Sequence, residues 1–279
     1  MATEQNIRFE FGKNWQSFID EHFDQSRVDV SRQHMLSFLG EESLSGKTFL
    51  DIGCGSGLHS LAAIQSGAAR VVSFDYDLNS VTATQALHRY AGSPEHWTIQ
   101  QGSALDEAFM ASLPASDIVY SWGVLHHTGD VWKALRLTLA GVRPGAMAYI
   151  ALYSSDVHKD PPPEYWINIK RTYVSASWLK RRWMECAYVW RFQMGRRIWR
   201  LFTVWRNARN YKKSRGMSFY HDIKDWLGGW PMEFCYDADV VKLAHKEFSL
   251  DLVRVATGEA NTEFLFRRPA KQANEASSA

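Results

Sequence analysis

The sequence has few cysteines and no long apolar run. Its 279 residues include only Cys54, Cys186 and Cys235, which lie far apart and lack metal-ligand spacing. This excludes a disulfide framework and predicts no metal site. No uninterrupted apolar stretch reaches the roughly 18 residues that cross a bilayer, so we expect no transmembrane helix. The first residues lack the basic start and apolar run of a signal peptide, so we expect a cytoplasmic protein.

Acidic residues are almost missing from one segment. Residues 170–215 contain 14 lysines and arginines and a single acid, Glu185, which gives the segment a charge of +13. The whole chain carries only +2, so the remainder sums to −11. The same segment holds five of the twelve tryptophans. So large an excess of positive charge in one segment calls for a specific explanation.

The most informative pattern is a glycine-rich loop after an apolar strand. The strand begins at Thr48 and ends in an acid, and a helix-like segment follows the loop at 58–65. Glycines at this spacing let the backbone approach a ligand closely, next to the N–H groups of the following helix. Leu58 stands where a dinucleotide pattern needs its third glycine. The acid would repel phosphate and suits a cationic amine or sulfonium. The acid and the glycines are Asp51, Gly53, Gly55 and Gly57.

A second short strand, residues 70–74, ends at Asp75, 18 residues after Gly57. A carboxylate at this position in such a sheet accepts hydrogen bonds from the two ribose hydroxyls of a nucleotide. With these residues, the chain resembles the class I S-adenosylmethionine (SAM) dependent methyltransferases. Further segments match that family in order, at 102–105, 117–130 and 142–151, so that the resemblance covers residues 46–152.

The resemblance implies an α/β fold with a Rossmann-like, mostly parallel seven-stranded sheet and flanking helices. The last strand would be antiparallel, and a helical insertion would follow the fifth strand. Residues 160–163, Asp-Pro-Pro-Pro, form a stiff break at that point. The expected parts are a helical lead-in (1–45), the SAM-binding core (46–152), a basic aromatic insertion or lid (153–235), a return to the core (236–268) and a disordered tail (269–279).

The resemblance also implies SAM as methyl donor, with S-adenosylhomocysteine as product, and a set of cofactor contacts. The methionine part would lie against the loop, the ribose against the end of the second strand, and the adenine after the third strand. The turn after the fourth strand would form the floor near the sulfonium, and one residue of the lead-in would close over it. The implied residues are Asp51, Gly53, Cys54, Gly55, Gly57, Asp75, Tyr76, Ser103, Ala104, Ser121, Trp122, Gly123 and Trp15.

Three histidines are candidates for proton removal from the acceptor. His126 and His127 follow the fourth strand at the edge where ligands bind in open α/β sheets. His221 lies in a polar and aromatic block, together with the candidate substrate residues Tyr220, Asp225 and Trp226. For the histidine pair the alternative is a packing or helix-capping role. For the block, the alternative is that it docks the insertion onto the core.

The basic insertion has a repeating apolar stripe that would lie on one face of a helix, interrupted by Gly195, so that a kink or a helix pair is as plausible as one helix. The stripe consists of Leu179, Trp183, Cys186, Ala187, Trp190, Met194, Ile198, Leu201 and Trp205. One interpretation is a lid whose stripe covers the core. A second is contact of residues 170–215 with an anionic membrane surface. A third is nucleic-acid binding, which the apolar stripe disfavours.

We therefore predict a cytoplasmic SAM-dependent methyltransferase acting on oxygen, nitrogen or carbon of a small, hydrophobic or lipid-like acceptor. One alternative is an RNA or protein methyltransferase that docks through the basic insertion. It is weakened by Ser121, Trp122, Gly123 and Val124, which stand where an Asn-Pro-Pro-Tyr-like motif would position such an acceptor. Another is a SAM-binding, membrane-associated interaction protein with little turnover. The sequence leaves the oligomeric state open.

Overall fold

The computed structural model of the protein describes residues 12, 23–197, 199, 202, 206, 219–258 and 260–270. The predicted cofactor contact of Trp15 lies outside these residues, and so does the predicted disordered tail beyond residue 270. Both stay predictions.

The described strands form one seven-stranded sheet in the order β3-β2-β1-β4-β5-β7-β6. Strands β1 to β5 run parallel, and β7 runs antiparallel to its two neighbours, β5 and β6. The predicted mostly parallel sheet with an antiparallel last strand is therefore confirmed. The order reverses between β1 and β4, which creates the crevice where open α/β sheets bind ligands. The strands are β1 Thr48–Ile52, β2 Arg70–Asp75, β3 Trp97–Gln101, β4 Ile118–Trp122, β5 Met147–Tyr153, β6 Asp251–Thr257 and β7 Asn261–Arg267.

Four of the described helices begin at acidic caps. Carboxylate oxygens of Asp24, Asp77, Asp106 and Asp130 accept backbone N–H bonds in the first turns of α1, α3, α4 and α5, which satisfies donors that a helix start leaves open. A 3₁₀ turn, Leu125–His127, follows β4, and a π-helical turn, Val189–Gln193, follows α7. The α-helices are α1 Gln25–Leu39, α2 Leu58–Gln65, α3 Leu78–Tyr90, α4 Glu107–Ser112, α5 Val131–Ala140, α6 Pro163–Ser175, α7 Trp178–Tyr188, α8 Phe219–Gly228 and α9 Asp237–Phe248.

The sheet is covered on both faces, as its continuous apolar strands require. Leu50 and Ile52 of β1 face the core under α5 and α9, while Phe49, one residue before Leu50 and therefore on the opposite face, packs in the core under α1 and α2. Both cores bury the middle of the sheet. Because β1, β2, β4 and β5 run parallel, their carboxyl ends lie together at one edge of the sheet, where the site can form.

The insertion leaves the sheet at Tyr153 and returns at Cys235. The backbone N–H of Cys235 donates to the Tyr153 carbonyl at 3.0 Å, which ties its two ends together. Helices α6, α7 and α8 share a small apolar core of their own, formed by Tyr173, Met184, Ile223 and Leu227. The helical path is interrupted at Gly195, whose φ is +58°. Within the described residues, no helix is long and apolar enough to cross a membrane.

Candidate active site

The glycine loop holds backbone conformations that side chains would obstruct. Gly53, Gly55 and Gly57 have φ values of +75°, +55° and +82°. A Cβ atom on Gly53 would lie 2.2 Å from Cγ1 of Val124, and one on Gly57 would lie 2.8 Å from Cγ2 of Thr84. A larger residue would be strained or would clash at these positions. Because the glycines have no side chains, a ligand can approach the backbone of the loop closely. The predicted contact of this loop with the methionine part of SAM stays a prediction.

The loop is bonded to the end of β2 through Asp75. The Gly55 N–H donates to Oδ2 of Asp75 at 2.9 Å, and the Asp77 N–H donates to Oδ1 at 2.9 Å. Burial raises the pKa of Asp75 to about 6, although these N–H donors oppose the shift. The backbone N–H of Tyr76 also interacts with this carboxylate. The predicted role of Asp75 as acceptor for the ribose hydroxyls stays a prediction.

Asp51 lies beneath the loop in a buried network. Its Oδ2 accepts a hydrogen bond from the Ser60 hydroxyl of α2. The Ser60 hydroxyl is 2.7 Å from that of Ser73, which accepts from Nε1 of Trp97 at 2.8 Å. Burial raises the pKa of Asp51 to about 7, the Ser60 bond lowers it, and the Asp75 charge raises it. Sequence reasoning missed these three partners, because nothing local links them to the loop.

Two other predicted cofactor residues near the loop, Cys54 and Tyr76, differ in burial. Cys54 is buried, with Sγ 3.2 Å from Oγ1 of Thr84, whose hydroxyl donates to the Gly55 carbonyl at 3.1 Å. Tyr76, beside Asp75, is exposed. Cys54 therefore packs under the loop, and Tyr76 lies on the open side of the crevice.

The residues after β3 and β4 differ in accessibility. Ala104 is part of the apolar core, whereas the Ser103 hydroxyl accepts the Leu105 N–H at 3.2 Å. Ser121 is fully buried and donates to the Ile52 carbonyl at 3.1 Å, so its side chain joins β4 to β1. Trp122 is more open, with 38% of its surface exposed. At Gly123 the φ is +76°, and the N–H donates to the Ala151 carbonyl of β5 at 3.2 Å.

His126 is fully buried in the 3₁₀ turn after β4. Its Nδ1 accepts the Tyr153 N–H at 3.2 Å, and its ring centroid lies 3.9 Å from that of Tyr153. Its Nε2 is also buried and has no hydrogen-bond partner among the described residues. Burial lowers the pKa of His126 well below its usual value, and His127 adds to the shift, so the ring is neutral near pH 7. This placement favours the packing alternative over direct proton transfer.

His127 connects the same turn to the end of the insertion. Its Nδ1 donates to the Pro231 carbonyl at 2.7 Å, and burial and the Lys170 charge lower its pKa. Nearby, the Glu233 N–H donates to the His126 carbonyl at 2.9 Å, and the Glu233 carboxylate accepts the Val131 N–H at 2.9 Å. The histidine turn therefore docks the segment around Pro231.

Aromatic rings cluster beyond the end of β5, next to the Gly123 turn. The Tyr153 and Trp226 centroids are 5.8 Å apart, and His158 lies 5.0 Å from Phe234. We call these four residues the aromatic cluster. Nε2 of His158 and Nε1 of Trp226 are buried and have no hydrogen-bond partner among the described residues. The predicted substrate residue Trp226 belongs to this cluster, and its role in binding an acceptor stays a prediction.

The other predicted residues of α8 are Tyr220, His221 and Asp225. They belong to the helix Phe219–Gly228, but their side chains are outside what the structure describes. Their roles stay predictions.

Sequence reasoning also missed a polar cluster on the α1 side of the same edge. Nε2 of His34 lies 3.0 Å from Oε2 of Glu263, and the Tyr149 hydroxyl donates to the same carboxylate. Burial raises the pKa of Tyr149, and Glu263 adds to the shift. In the strand register Glu263 lies beside Ala151, which lies beside Trp122. Because the three residues come from distant parts of the chain, only this register brings them together.

A sheet of this order, with a glycine loop at its switch point and an acid after β2, defines the class I SAM-dependent methyltransferase fold. Residues 22–221 match the model of a family described as "Methyltransferase domain". The match covers more than half of the chain, and the chain belongs to this family. The predicted family, fold and donor cofactor are therefore confirmed.

Individual relatives differ in their acceptors. The chain is 33% identical over 128 residues to the ubiquinone biosynthesis O-methyltransferase of Methylobacterium sp. (strain 4-46), covering 45% of this chain and 48% of that protein. It is 25% identical over 189 residues to the tRNA U34 carboxymethyltransferase of Geobacter sp. (strain M21), covering 67% and 56%. The chain thus spans about half the length of these curated relatives. Their names include a quinone pathway and a tRNA, so family membership leaves the acceptor open.

Among solved structures, the fold is similar to that of PKMT2 from Rickettsia typhi in complex with AdoHcy. The TM-score is 0.56 at 13% identity, and the similarity covers 81% of this chain and 49% of that one. At this identity the similarity supports the fold alone.

Proposed function

We propose that the protein transfers the methyl group of SAM to a small, hydrophobic or lipid-like acceptor. The observation that carries this proposal is the aromatic cluster next to the Gly123 turn. Sites for small molecules are mostly apolar and have a few polar groups that orient the ligand. The rings of Tyr153, Trp226 and Phe234 supply the apolar part, and Nε1 of Trp226 and Nε2 of His158 supply unpaired polar atoms.

The cofactor residues have separate tasks in this proposal. The loop at Gly53, Gly55 and Gly57 would admit the methionine part, Asp75 would accept the ribose hydroxyls, and Ser103 would border the adenine. SAM supplies an activated methyl group on a sulfonium. The chain mainly has to align the acceptor with that group, an effect that can be worth about 7–11 kcal/mol.

A hydroxyl or phenol acceptor would also need a group that removes its proton. His126, His127 and His221 remain the candidates. His126 would have to be uncovered when the acceptor binds, because the surrounding rings enclose it completely. An acceptor that is nucleophilic without losing a proton would need none of these three histidines. The proposal therefore includes methylation on oxygen, nitrogen or carbon.

A second candidate function is methylation of RNA or protein docked through the basic insertion. The exposed basic side chains of α7 favour it, and the tRNA-modifying relative has a similar core. A third is SAM binding with little turnover in a membrane-associated protein. The glycine loop and its hydrogen bond to Asp75 count against this third function, because they support an intact cofactor site.

The deciding experiment incubates the purified chain with methyl-labelled SAM and a cell lysate, then separates organic-extractable, protein and nucleic-acid fractions. We expect label in the organic fraction. It should be lost in Asp75→Ala, fall in Trp226→Ala, and persist in the matched control Tyr236→Ala, which removes an exposed ring at the start of α9. Label confined to RNA or protein would establish the second function instead. Intact binding of SAM without label in any fraction would favour the third.

A further inference from the structure

Helix α7 carries its most apolar ridge on the outside. Leu179 and Trp183 are 72% and 70% exposed, and the ridge continues through exposed Cys186 to Trp190. These side chains recur at steps of three and four residues and therefore lie along one helix face. The interpretation that the stripe covers the core is wrong for this part of it, since the opposite side of α7 is the buried one.

The orientation of α7 is set by its buried side. Glu185 is 6% exposed, and it accepts hydrogen bonds from the Tyr173 hydroxyl at 2.6 Å and from Arg182 at 2.9 Å. Met184 joins the apolar core of the insertion. Turning the helix to bury Trp183 would break the hydrogen bond between Tyr173 of α6 and Glu185 and would take Met184 out of the apolar core of the insertion. Both changes are unfavourable, so the apolar ridge stays outside.

Positive charge surrounds the ridge. Lys180, Arg181 and Arg182 are exposed on α7, and Arg196 and Arg197 are exposed after it. The only acid of the segment 170–215 is Glu185, which is buried and paired. The surface around the ridge is therefore apolar and basic at once. We call it the α7 face; it comprises Trp178, Leu179, Lys180, Arg182, Trp183, Trp190 and Arg197.

We propose that the α7 face docks on an anionic lipid bilayer. Tryptophan and leucine on one side of a helix, flanked by arginine and lysine, match the boundary between headgroups and acyl chains. Each basic residue near such a surface strengthens binding by roughly a factor of five. An exposed ridge of this kind needs a partner that removes it from water, and the charge determines which partner is favoured.

Two other occupants fit less well. A second copy would bring two +13 segments face to face in a two-fold contact, which repels. RNA phosphates would pair with the basic side chains, and RNA bases could stack on Trp183. RNA would not provide an apolar contact for the aliphatic Leu179. A bilayer uses both the charge and the aliphatic part.

Docking in this way would bring the candidate site close to the lipid. Helix α8, which supplies Trp226 to the aromatic cluster, packs against α7. The inference goes beyond the proposed methyl transfer and does not depend on it.

The test is co-sedimentation of the full chain with vesicles of phosphatidylcholine alone or mixed with phosphatidylglycerol. We expect binding to the mixed vesicles only. L179Q/W183Q should lower the partition coefficient about tenfold or more, and K180E/R197E about 25-fold or more. The matched controls V30Q/Y236Q and K242E/K246E change exposed apolar and basic side chains on other surfaces and should bind as the unaltered chain does.

Three results would overturn the proposal. The first is absence of binding to the mixed vesicles, or binding that L179Q/W183Q leaves unchanged. The second is a gel shift with RNA that both α7 variants abolish, without vesicle binding. The third is self-association that L179Q/W183Q removes, seen by sedimentation. Thermal unfolding and S-adenosylhomocysteine binding of each variant establish that it is folded; if L179Q/W183Q fails this check, Trp183→Gln alone takes its place.

Discussion

The backbone N–H of Gly55 lies 2.9 Å from Oδ2 of Asp75, so that the loop after β1 and the carboxylate after β2 form one hydrogen-bonded unit. The second oxygen of Asp75 holds the Asp77 N–H at the start of α3. The proposed ribose site and the proposed methionine site thus share a single carboxylate. Changes at Asp75 should therefore affect the whole cofactor.

Asp75→Ala should weaken S-adenosylhomocysteine binding by roughly 100-fold or more. The variant loses a charged acceptor for two hydroxyls, and each such bond contributes about 1.5–3 kcal/mol. Asp75→Asn keeps the shape of the side chain and one acceptor oxygen. Its affinity should therefore lie between that of the unaltered chain and that of Asp75→Ala. Isothermal titration calorimetry measures the affinities. Asp130→Ala, which removes the cap of α5 instead, should leave them unchanged; equal losses in Asp75→Ala and Asp130→Ala would point to general destabilisation.

Cofactor affinity should increase with pH. In the free protein burial raises the pKa of Asp75 to about 6 and that of Asp51 to about 7. Hydroxyl donors favour the ionised carboxylate, so binding lowers its pKa and releases a proton where the free group is still protonated. Affinity for S-adenosylhomocysteine should therefore rise through about pH 6 and level off above about 7.

Calorimetry in two buffers of different ionisation enthalpy would detect the released proton. Asp75→Asn should lose most of the pH dependence. A flat profile for the unaltered chain would mean that Asp75 is already ionised across this range. Stability without ligand should change in the opposite direction: the folded pKa of Asp75 exceeds its unfolded value of 3.8, so ionisation destabilises the fold as the pH rises towards about 6.

Gly102→Ala should be rescued by a second substitution. A Cβ on Gly102 would lie 2.0 Å from Cζ of Phe109, whose ring packs edge-on against Phe74 at 4.9 Å. Because Gly102 lacks a positive φ, the clash is its only difficulty, and we expect a loss of about 1–3 kcal/mol in the free energy of unfolding. Gly102→Ala with Phe109→Leu should recover much of this loss in urea denaturation.

Gly53→Ala is the contrasting case. Val124→Ala would remove its clash, but the φ of +75° would still cost about 1–2 kcal/mol, so rescue should be partial. Equal rescue at both glycines would contradict the distinction between steric and backbone strain.

His127→Ala should weaken the packing around Pro231, on the proposed acceptor side of the site, and leave cofactor binding unchanged. It removes the bond to the Pro231 carbonyl, which we expect to lower the free energy of unfolding by about 1 kcal/mol. Label transfer to the acceptor should fall while S-adenosylhomocysteine affinity stays the same. His127→Asn, which offers an amide donor, is the matched variant and should retain more activity. A parallel loss of cofactor affinity would show that the turn also supports the glycine loop.

Much of the core was predictable because its signals are local. The helix Leu58–Gln65 has the predicted bounds, and the strand predicted at 70–74, with Asp75 at its end, forms as Arg70–Asp75. A glycine that needs a positive φ, or a strand buried on both faces, leaves its mark within a few residues. The partners of Asp51 and Glu263 leave no such mark.

By itself, the sequence determined the order of strands and helices, the glycine cradle and the acid after β2, since these follow from backbone preferences and short-range patterns. It also determined that α7 has an apolar ridge. Only the tertiary structure decided which side of α7 faces solvent, because that depends on the hydrogen bond between Tyr173 of α6 and Glu185 and on the packing of Met184 against α8. The same holds for the aromatic cluster, which forms because the insertion returns to the end of β5 and brings Trp226 and Phe234 to Tyr153.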